Sequence, residues 1–382
     1  MHEATTYKKP TLLFVVTEDW YFCSHRLPIA CSARDAGFKV IVATRVQCHG
    51  EQILKEGFKL IPIRLRRSNK NPLKELLSLI ELINIYRLER PDIVHHVAMK
   101  PVLYGSVAAL VTRVPGIINA LAGMGYMFIS NHWKAVLLRK FVSQTFRILL
   151  NRPNMRIILQ NPDDQHLMAR LGALKPKDIV LIRGSGVNIQ IFSPVPELAG
   201  ILTVVLPSRM LWDKGVGEFV EAACLLRNKG LDARFVLVGD TDTENPAAVT
   251  STQLDAWNSG GIVEWWGMRD YMPTVFAQAH VICLPSYREG LPKVLIEAAA
   301  CGKAIVTTDV PGCREIVRHN ENGFLVPLKD PIALANAIER LIESPALRRK
   351  FGSRGREIVA AEFSEEIVTR ETMDIYNRLL NK

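Results

Sequence analysis

The stretch SYREGLPKVLIEAAACG, residues 286–302, follows the apolar run His280–Leu284 and reads as strand, loop and helix. Pro292 suits the first turn of that helix, where its missing N–H costs nothing. Gly290 lets the loop backbone come close to a ligand. Free N–H groups at such a helix start hold an anion of the diphosphate kind. Glu289 lies before the helix and Glu297 inside it, which puts the two carboxylates roughly 12 Å apart. At that distance they share neither a proton nor a metal ion. They suit hydroxyl groups at the two ends of one elongated ligand, with an anion between. An isolated pair of glutamates at this spacing is more often two solvated side chains; the E-G-L-P-x-x-L-x-E-A setting makes this one specific.

Outward from this segment, short β-branched runs alternate with helical patterns along the whole chain. The first series of expected strands is Thr11–Thr17, Phe38–Thr44, Leu60–Ile63, Asp92–Val97, Ile117–Ala120, Met155–Leu159 and Ile179–Ile182. The second is Thr203–Leu206, Arg234–Val238, Ile262–Trp266, His280–Leu284, Ala304–Thr307 and Gly323–Val326. Such alternation predicts an α/β fold with parallel sheets covered by helices. The series break at Phe192–Gly200, FSPVPELAG, which has two prolines and no periodicity. Two doubly wound, Rossmann-like domains are expected, at 1–196 and 197–362, with a C-terminal helix at 363–382 crossing back to the first. Ligands of such sheets sit beyond the carboxyl ends of the strands, so a cleft between the domains is the expected site.

The charge also changes at the break. Residues 1–190 carry 27 Lys and Arg against 13 Asp and Glu, and the remainder 21 against 25. Residues 93–162 contain no acid. A basic half of this kind predicts an anionic partner. The 382 residues, with 48% hydrophobic and 23% charged, exclude a disordered or collagen-like chain. No apolar run reaches the length of a membrane span, and the run Thr11–Val16 is too short for a signal peptide, so the cytoplasm is the expected compartment. The seven cysteines form no C-x-x-C and read as small apolar residues in a reducing compartment.

Residues 286–317 closely resemble the donor-binding signature of family 4 retaining glycosyltransferases, which have the GT-B fold. Leu206–Gly215, LPSRMLWDKG, resembles that family's R-x4-K-G segment. Phe235–Asp240, Ile262–Tyr271 and Asn322–Pro327 resemble its next strand and loop, its base-binding turn and its closing N-G-x-L-V-P. The resemblance implies a nucleotide-sugar donor, UDP-linked, on the C-terminal half. Glu297 would hold the ribose hydroxyls and Glu289 the sugar, with Arg209 and Lys214 on the diphosphate. Backbone N–H groups near Gly290 and Leu291 would help, and the base would stack near Trp266, Gly267 and Met268. Two cations beside a helix start neutralise a leaving diphosphate, which removes the need for a metal. Asp240-Thr241-Asp242 is a D-x-D tripeptide, but it reads as a polar turn and no metal or other cofactor is assigned.

The first half resembles a narrower subgroup. Thr17–Arg26 fits a W-x-F-x-x-H-R pattern in place of a glycine-rich loop. His95–Gly105 resembles the H-x4-K-P-x-x-Y-G segment of transferases that act on polyprenyl-linked sugars. The resemblance implies a lipid-linked saccharide acceptor met by His25, Arg26, His96 and Lys100; for His25, His96 and Arg26, helix capping or packing is the competing reading. Ala120–Tyr126 aligns with a family T-V-H-G-L-G-F, with the family's active-site histidine falling on Ala122 and glycines kept at Gly123 and Gly125, near the donor sugar. His132–Leu150 reads as an amphipathic helix, either lying on an anionic membrane or packed on its own sheet. A peripheral enzyme on the cytoplasmic membrane face is expected, without nucleic acid, since no motif or basic–aromatic platform for it is present. The rivals are a sugar-nucleotide epimerase or phosphorylase of the same architecture and an inactive, membrane-associated binding subunit. A dinucleotide oxidoreductase ranks below these, since no G-x-G-x-x-G follows either first strand.

Overall fold

The computed structural model describes residues 9–67, 71–121, 123 and 142–381. The chain divides into two compact units, Met1–Ser185 with Glu366–Lys382, and Gly186–Glu365. Each is built on one parallel sheet.

The first sheet has seven strands: β1 (Thr11–Glu18), β2 (Lys39–Arg45), β3 (Lys59–Pro62), β4 (Ile93–Val97), β5 (Gly116–Ala120), β6 (Met155–Leu159) and β7 (Ile179–Leu181). Their order is β3-β2-β1-β4-β5-β6-β7. Every residue of β1 is buried, because helices cover both faces of the sheet and each side chain meets one of them. Leu13, Val15, Tyr86, Val102 and Phe146 form the core on one face. Leu12, Phe14, Phe22, Ile375 and Tyr376 form it on the other. The last two come from the C-terminal helix Glu365–Leu380.

The second sheet has six strands: β8 (Leu202–Pro207), β9 (Ala233–Val238), β10 (Glu264–Trp265), β11 (Val281–Leu284), β12 (Ala304–Thr308) and β13 (Gly323–Val326). Their order is β10-β9-β8-β11-β12-β13. The strand expected over Ile262–Trp266 shrinks to two residues, since β10 is an edge strand with one partner. Asp92 lies just before β4, and its carboxylate accepts the Thr11 N–H at 2.7 Å.

The units divide at Ser185, ahead of the proline-rich break at Phe192–Gly200. Backbone pairing explains the difference. Val187 donates to Phe363 O at 3.1 Å and accepts from Glu365 N at 3.0 Å. The Arg356 guanidinium donates to Ile189 O and Phe192 O at 2.7 and 2.6 Å. Residues 186–192 therefore belong to the second body. Of the amphipathic helix expected at His132–Leu150, residues 132–141 lie outside the described residues. The described part is helical over 142–149, and Val142, Phe146 and Leu150 are buried in the first unit's core. Those side chains face their own sheet, not a membrane. No described helix is long and apolar enough to cross one.

Candidate active site

Strand order reverses between β8 and β11 in the second unit, and the loops leaving these two strands bound the crevice where doubly wound sheets bind ligands. The β8 loop passes Arg209 and makes a short turn at Trp212–Lys214 before the helix Val216–Asn228. Gly215 joins them at φ +73°, and a Cβ there would lie 2.2 Å from Pro285 O. Only glycine allows both the left-handed turn and that approach. The β11 loop is tied to it directly: Tyr287 N–H donates to Asp213 O at 2.8 Å and Ser286 Oγ to the same oxygen at 3.2 Å. On its other side Thr307 Oγ1 donates to Leu284 O at 2.6 Å, and Thr308 Oγ1 donates to Ser286 O. Gly312, at φ +82°, packs against the carbonyls of Glu289 and Gly290.

This bracing brings Lys214 and Glu289 together. The Lys214 ammonium pairs with the Glu289 carboxylate, both largely shielded from water. Arg209 pairs with Asp242 at 2.6 Å, and its side chain remains 39% exposed. Asp242, read in the sequence as part of a polar turn, is thus the ligand-free partner of a site cation, while Asp240 accepts the N–H of Thr241. Pro292 stands at the N-cap of the helix Lys293–Ala300, one residue earlier than expected, and its side chain makes no capping hydrogen bond. Leu291 is buried and anchors the loop. Glu297 is buried on the helix, 3.4 Å from Lys293; burial pushes its carboxyl above the ordinary value, and Lys293 opposes the shift.

The turn after β10 is pinned to the end of β9. Gly239 N–H donates to Gly267 O at 2.8 Å and Trp265 Nε1 donates to Gly239 O at 2.9 Å. Trp266 lies between the guanidinium groups of Arg234 and Arg269, at 5.8 and 5.9 Å. Met268 is 64% exposed at the turn.

Sequence reading missed two groups here. Tyr287 OH donates to Glu218 Oε1 at 2.6 Å, locking the β11 loop to the helix after β8. Cys313 is fully buried; burial, then Glu289, pushes its thiol up to about 12, so it is inert. The only signal for either was proximity to the signature segment.

The first unit reverses order between β1 and β4. Asp19 organises the loop after β1, accepting N–H bonds from Trp20 at 2.8 Å, Gln47 at 2.6 Å and His49 at 2.9 Å. Ala98, just beyond β4, is held at φ +77°, a costly conformation for alanine. His25 is half-buried and stacks on Tyr21 at 4.0 Å. Arg26 is 2% exposed and turned towards His95 and Tyr376, whose ionisation it influences. Lys100 pairs with Glu75 at 2.9 Å and donates to Arg66 O at 2.9 Å.

His96 requires a correction. Its ring is fully buried, bonded to Tyr86 OH at 2.8 Å and Asn119 Oδ1 at 2.7 Å. Gly105 packs on that ring so closely that a Cβ would lie 2.4 Å from Nε2. The glycine that ends the H-x4-K-P-x-x-Y-G segment is therefore packed against His96, the residue after the segment's leading His95, and burial lowers the His96 pKa to about 4. His95, also buried, bonds Tyr376 OH through Nδ1 at 2.7 Å. Gly123 takes φ +127°; Ala122 and Gly125 lie outside the described residues.

Two doubly wound parallel sheets, with the signature loop at the second switch point, define a GT-B fold. Residues 202–344 match the family model described as glycosyl transferases group 1, and residues 11–161 that described as glycosyl transferase 4-like. The chain belongs to the family 4-like glycosyltransferases, enzymes that transfer sugars. It is 28% identical over 368 residues, 93% of this chain and 95% of the relative, to the N,N'-diacetylbacillosaminyl-diphospho-undecaprenol alpha-1,3-N-acetylgalactosaminyltransferase of Campylobacter jejuni. It is 26% identical to the UDP-Gal:alpha-D-GlcNAc-diphosphoundecaprenol alpha-1,3-galactosyltransferase of Escherichia coli, over 73% of each chain. Among solved structures, Anabaena HepE in complex with UDP superimposes with a TM-score of 0.78 at 19% identity, covering 97% of this chain and all of that one.

Proposed function

We propose that the protein moves a sugar from a UDP-linked donor to a polyprenyl-diphosphate-linked saccharide, with retention at the anomeric carbon and without a metal. The observation that carries this is the arrangement of Lys214, Arg209 and the start of the helix Lys293–Ala300 around one switch point. In the ligand-free site Glu289 and Asp242 neutralise the two cations. A donor diphosphate would take their place on Lys214 and Arg209, with N–H groups near Gly290 and Leu291 completing the cradle. Glu289, released, would accept from hydroxyls of the sugar, and Glu297 from those of the ribose. The base would lie along the Trp266–Met268 turn.

As the bond from the anomeric carbon to the phosphate oxygen breaks, negative charge grows on the phosphate, where Lys214 and Arg209 stabilise it. The acceptor hydroxyl attacks on the same face, and its proton passes to the leaving phosphate. The commitment of Asp242 to Arg209 favours cationic, not metal, neutralisation. The names of the two bacterial relatives favour the lipid-linked acceptor, and HepE's complex favours UDP. A lipid-linked acceptor places the reaction at a membrane surface, on its cytoplasmic face, where nucleotide sugars are made.

Thermal unfolding with UDP, GDP and ADP tests the site. UDP at 100 times its Kd should stabilise the protein by about 2.7 kcal/mol, and Arg209→Ala with Lys214→Ala should remove the shift. No shift with any of the three nucleotides, or one that survives the double substitution, contradicts the reading. Turnover of donor only in the presence of acceptor separates transfer from epimerisation.

A further inference from the structure

The geometry points to the helix Pro72–Glu89 as the element that seats the first unit on an anionic membrane. At 18 residues the helix is about 27 Å long. One face, with Ser78, Leu82, Ile85 and Tyr86, is buried on the unit's own core. The opposite face is also apolar and meets water: Leu73, Leu76, Leu77, Ile80 and Leu88 are 71%, 54%, 57%, 45% and 79% exposed. At 100° per residue these five fall within an arc of roughly 120°. A surface helix of a globular protein normally carries polar residues there. A shallow depression of about 390 Å³ between Arg64, Leu77, Ile80 and Leu88 runs along the ridge.

Charge selects the occupant. Each acid of the helix is engaged within the unit: Glu75 with Lys100 at 2.9 Å, Glu89 with Lys59 at 2.6 Å, and Glu81 with the Arg64 N–H at 2.9 Å. The cations around the ridge remain towards solvent. The Arg64 side chain is 85% exposed. Arg87, Arg90 and Arg113, exposed near the far end, have no ion-pair partner among the described residues. An apolar stripe with Arg64 beside its middle and Arg87, Arg90 and Arg113 at its C-terminal end matches the acyl boundary and phosphate layer of an anionic bilayer. The exposed Asn84 and Arg87 share this arc towards its C-terminal end, and a protein partner or a second copy would not need the cations beside it. The inference does not depend on which sugar is transferred, and its test is separable from that of the donor site.

The test is co-sedimentation of the full chain with phosphatidylglycerol–phosphatidylcholine vesicles and with phosphatidylcholine alone. The wild type should bind the anionic vesicles, more weakly as salt rises. Leu73→Glu, Leu77→Glu and Leu88→Glu together should raise the lipid concentration for half-binding at least about tenfold, with circular dichroism and the UDP-induced thermal shift unchanged. If the triple variant does not fold, Leu88→Glu alone should show a loss of about threefold. Arg64→Glu with Arg87→Glu should abolish the preference for anionic over neutral vesicles. Wild type that fails to bind, or substituted ridges that bind as well, overturns the inference. So does a wild-type dimer that the leucine substitutions render monomeric without any vesicle binding, which would assign the ridge to a second copy.

Discussion

Around β8 and β11 the cations Arg209 and Lys214 stand on loops, each held by a carboxylate from another loop. Around β1 and β4, polar residues of matching motif rank are drawn inward: Arg26 is 2% exposed, and His95 and His96 are fully buried. The two sheets share one winding plan, yet one switch point carries ion pairs between loops, and the other carries hydrogen bonds that hold the core. A shared fold therefore does not mean a shared site. The first unit's unpartnered surface lies instead on the flank of the sheet, along Leu73–Leu88.

The largest effect expected from this contrast is on turnover. Lys214→Ala or Arg209→Ala should lower kcat by about 10²–10³-fold, as for loss of one donor to a developing oxyanion, with little change in Tm. His96→Ala should do the reverse. It empties a buried position and strands Tyr86 OH and Asn119, costing about 3 kcal/mol of stability, while kcat per folded molecule holds. Steady-state kinetics beside thermal melts reads both. A His96→Ala enzyme that is stable but slow breaks the contrast.

Acid should separate the units next. Burial holds His95 well below its ordinary range, with Arg26 and His96 adding to the effect, and holds His96 at about 4. The unfolded chain then binds more protons than the native one, so stability is complete above the unfolded histidine value of about 6.5 and falls with pH below it. For His96 the difference amounts to about 3 kcal/mol by pH 4. Amide exchange should show the protection of Ile93–Val97 dropping between pH 7 and 5 more than that of Val281–Leu284. Equal loss in both strands removes the histidines as its source.

A third effect sits at the loop contact. Gly215→Ala must take φ +73° and place its Cβ against Pro285 O, which should cost about 2–3 kcal/mol and displace Lys214 from Glu289. Gly37→Ala in the first unit has a similar φ, +93°, but open space, and should cost about 1 kcal/mol. Denaturant melts of the two variants compare them, and equal costs would mean that the Gly215–Pro285 approach is not a tight constraint.

The fold was legible because parallel strands covered on both faces must be apolar throughout, and runs such as TLLFVVT and VICL carry that signal without ambiguity. Arg209, Lys214, Glu289 and Glu297 could be singled out because the segments that resemble the family signature are each local in the chain. The meaning of His96 was not, because its partners Tyr86 and Asn119 come from other elements, and sequence spacing does not reveal which face of β4 it occupies. Asp242 was hidden for the same reason: its partner is 33 residues away. The exposed ridge of Pro72–Glu89 was masked because a helix apolar on two faces looks, in sequence, like one that is buried.

The smallest effect gives the sharpest contrast in sign. Glu297 is buried and its carboxyl is raised above the ordinary value by desolvation. A raised carboxyl means that the native state holds its proton longer than the unfolded chain, so the stability it allows is complete below the unfolded value and declines as pH rises through the folded one. This runs opposite to the histidines of the first unit. Glu297→Gln should therefore raise the stability of the ligand-free protein above that pH, by about 0.5–2 kcal/mol, and the gain should vanish at low pH where both side chains are neutral. The same substitution should shrink the UDP-induced thermal shift, since a neutral amide is a weaker acceptor for ribose hydroxyls than a carboxylate. Stabilisation together with lost UDP response marks a group kept at a structural cost for its ligand; stabilisation with the response intact would place Glu297 outside the donor site.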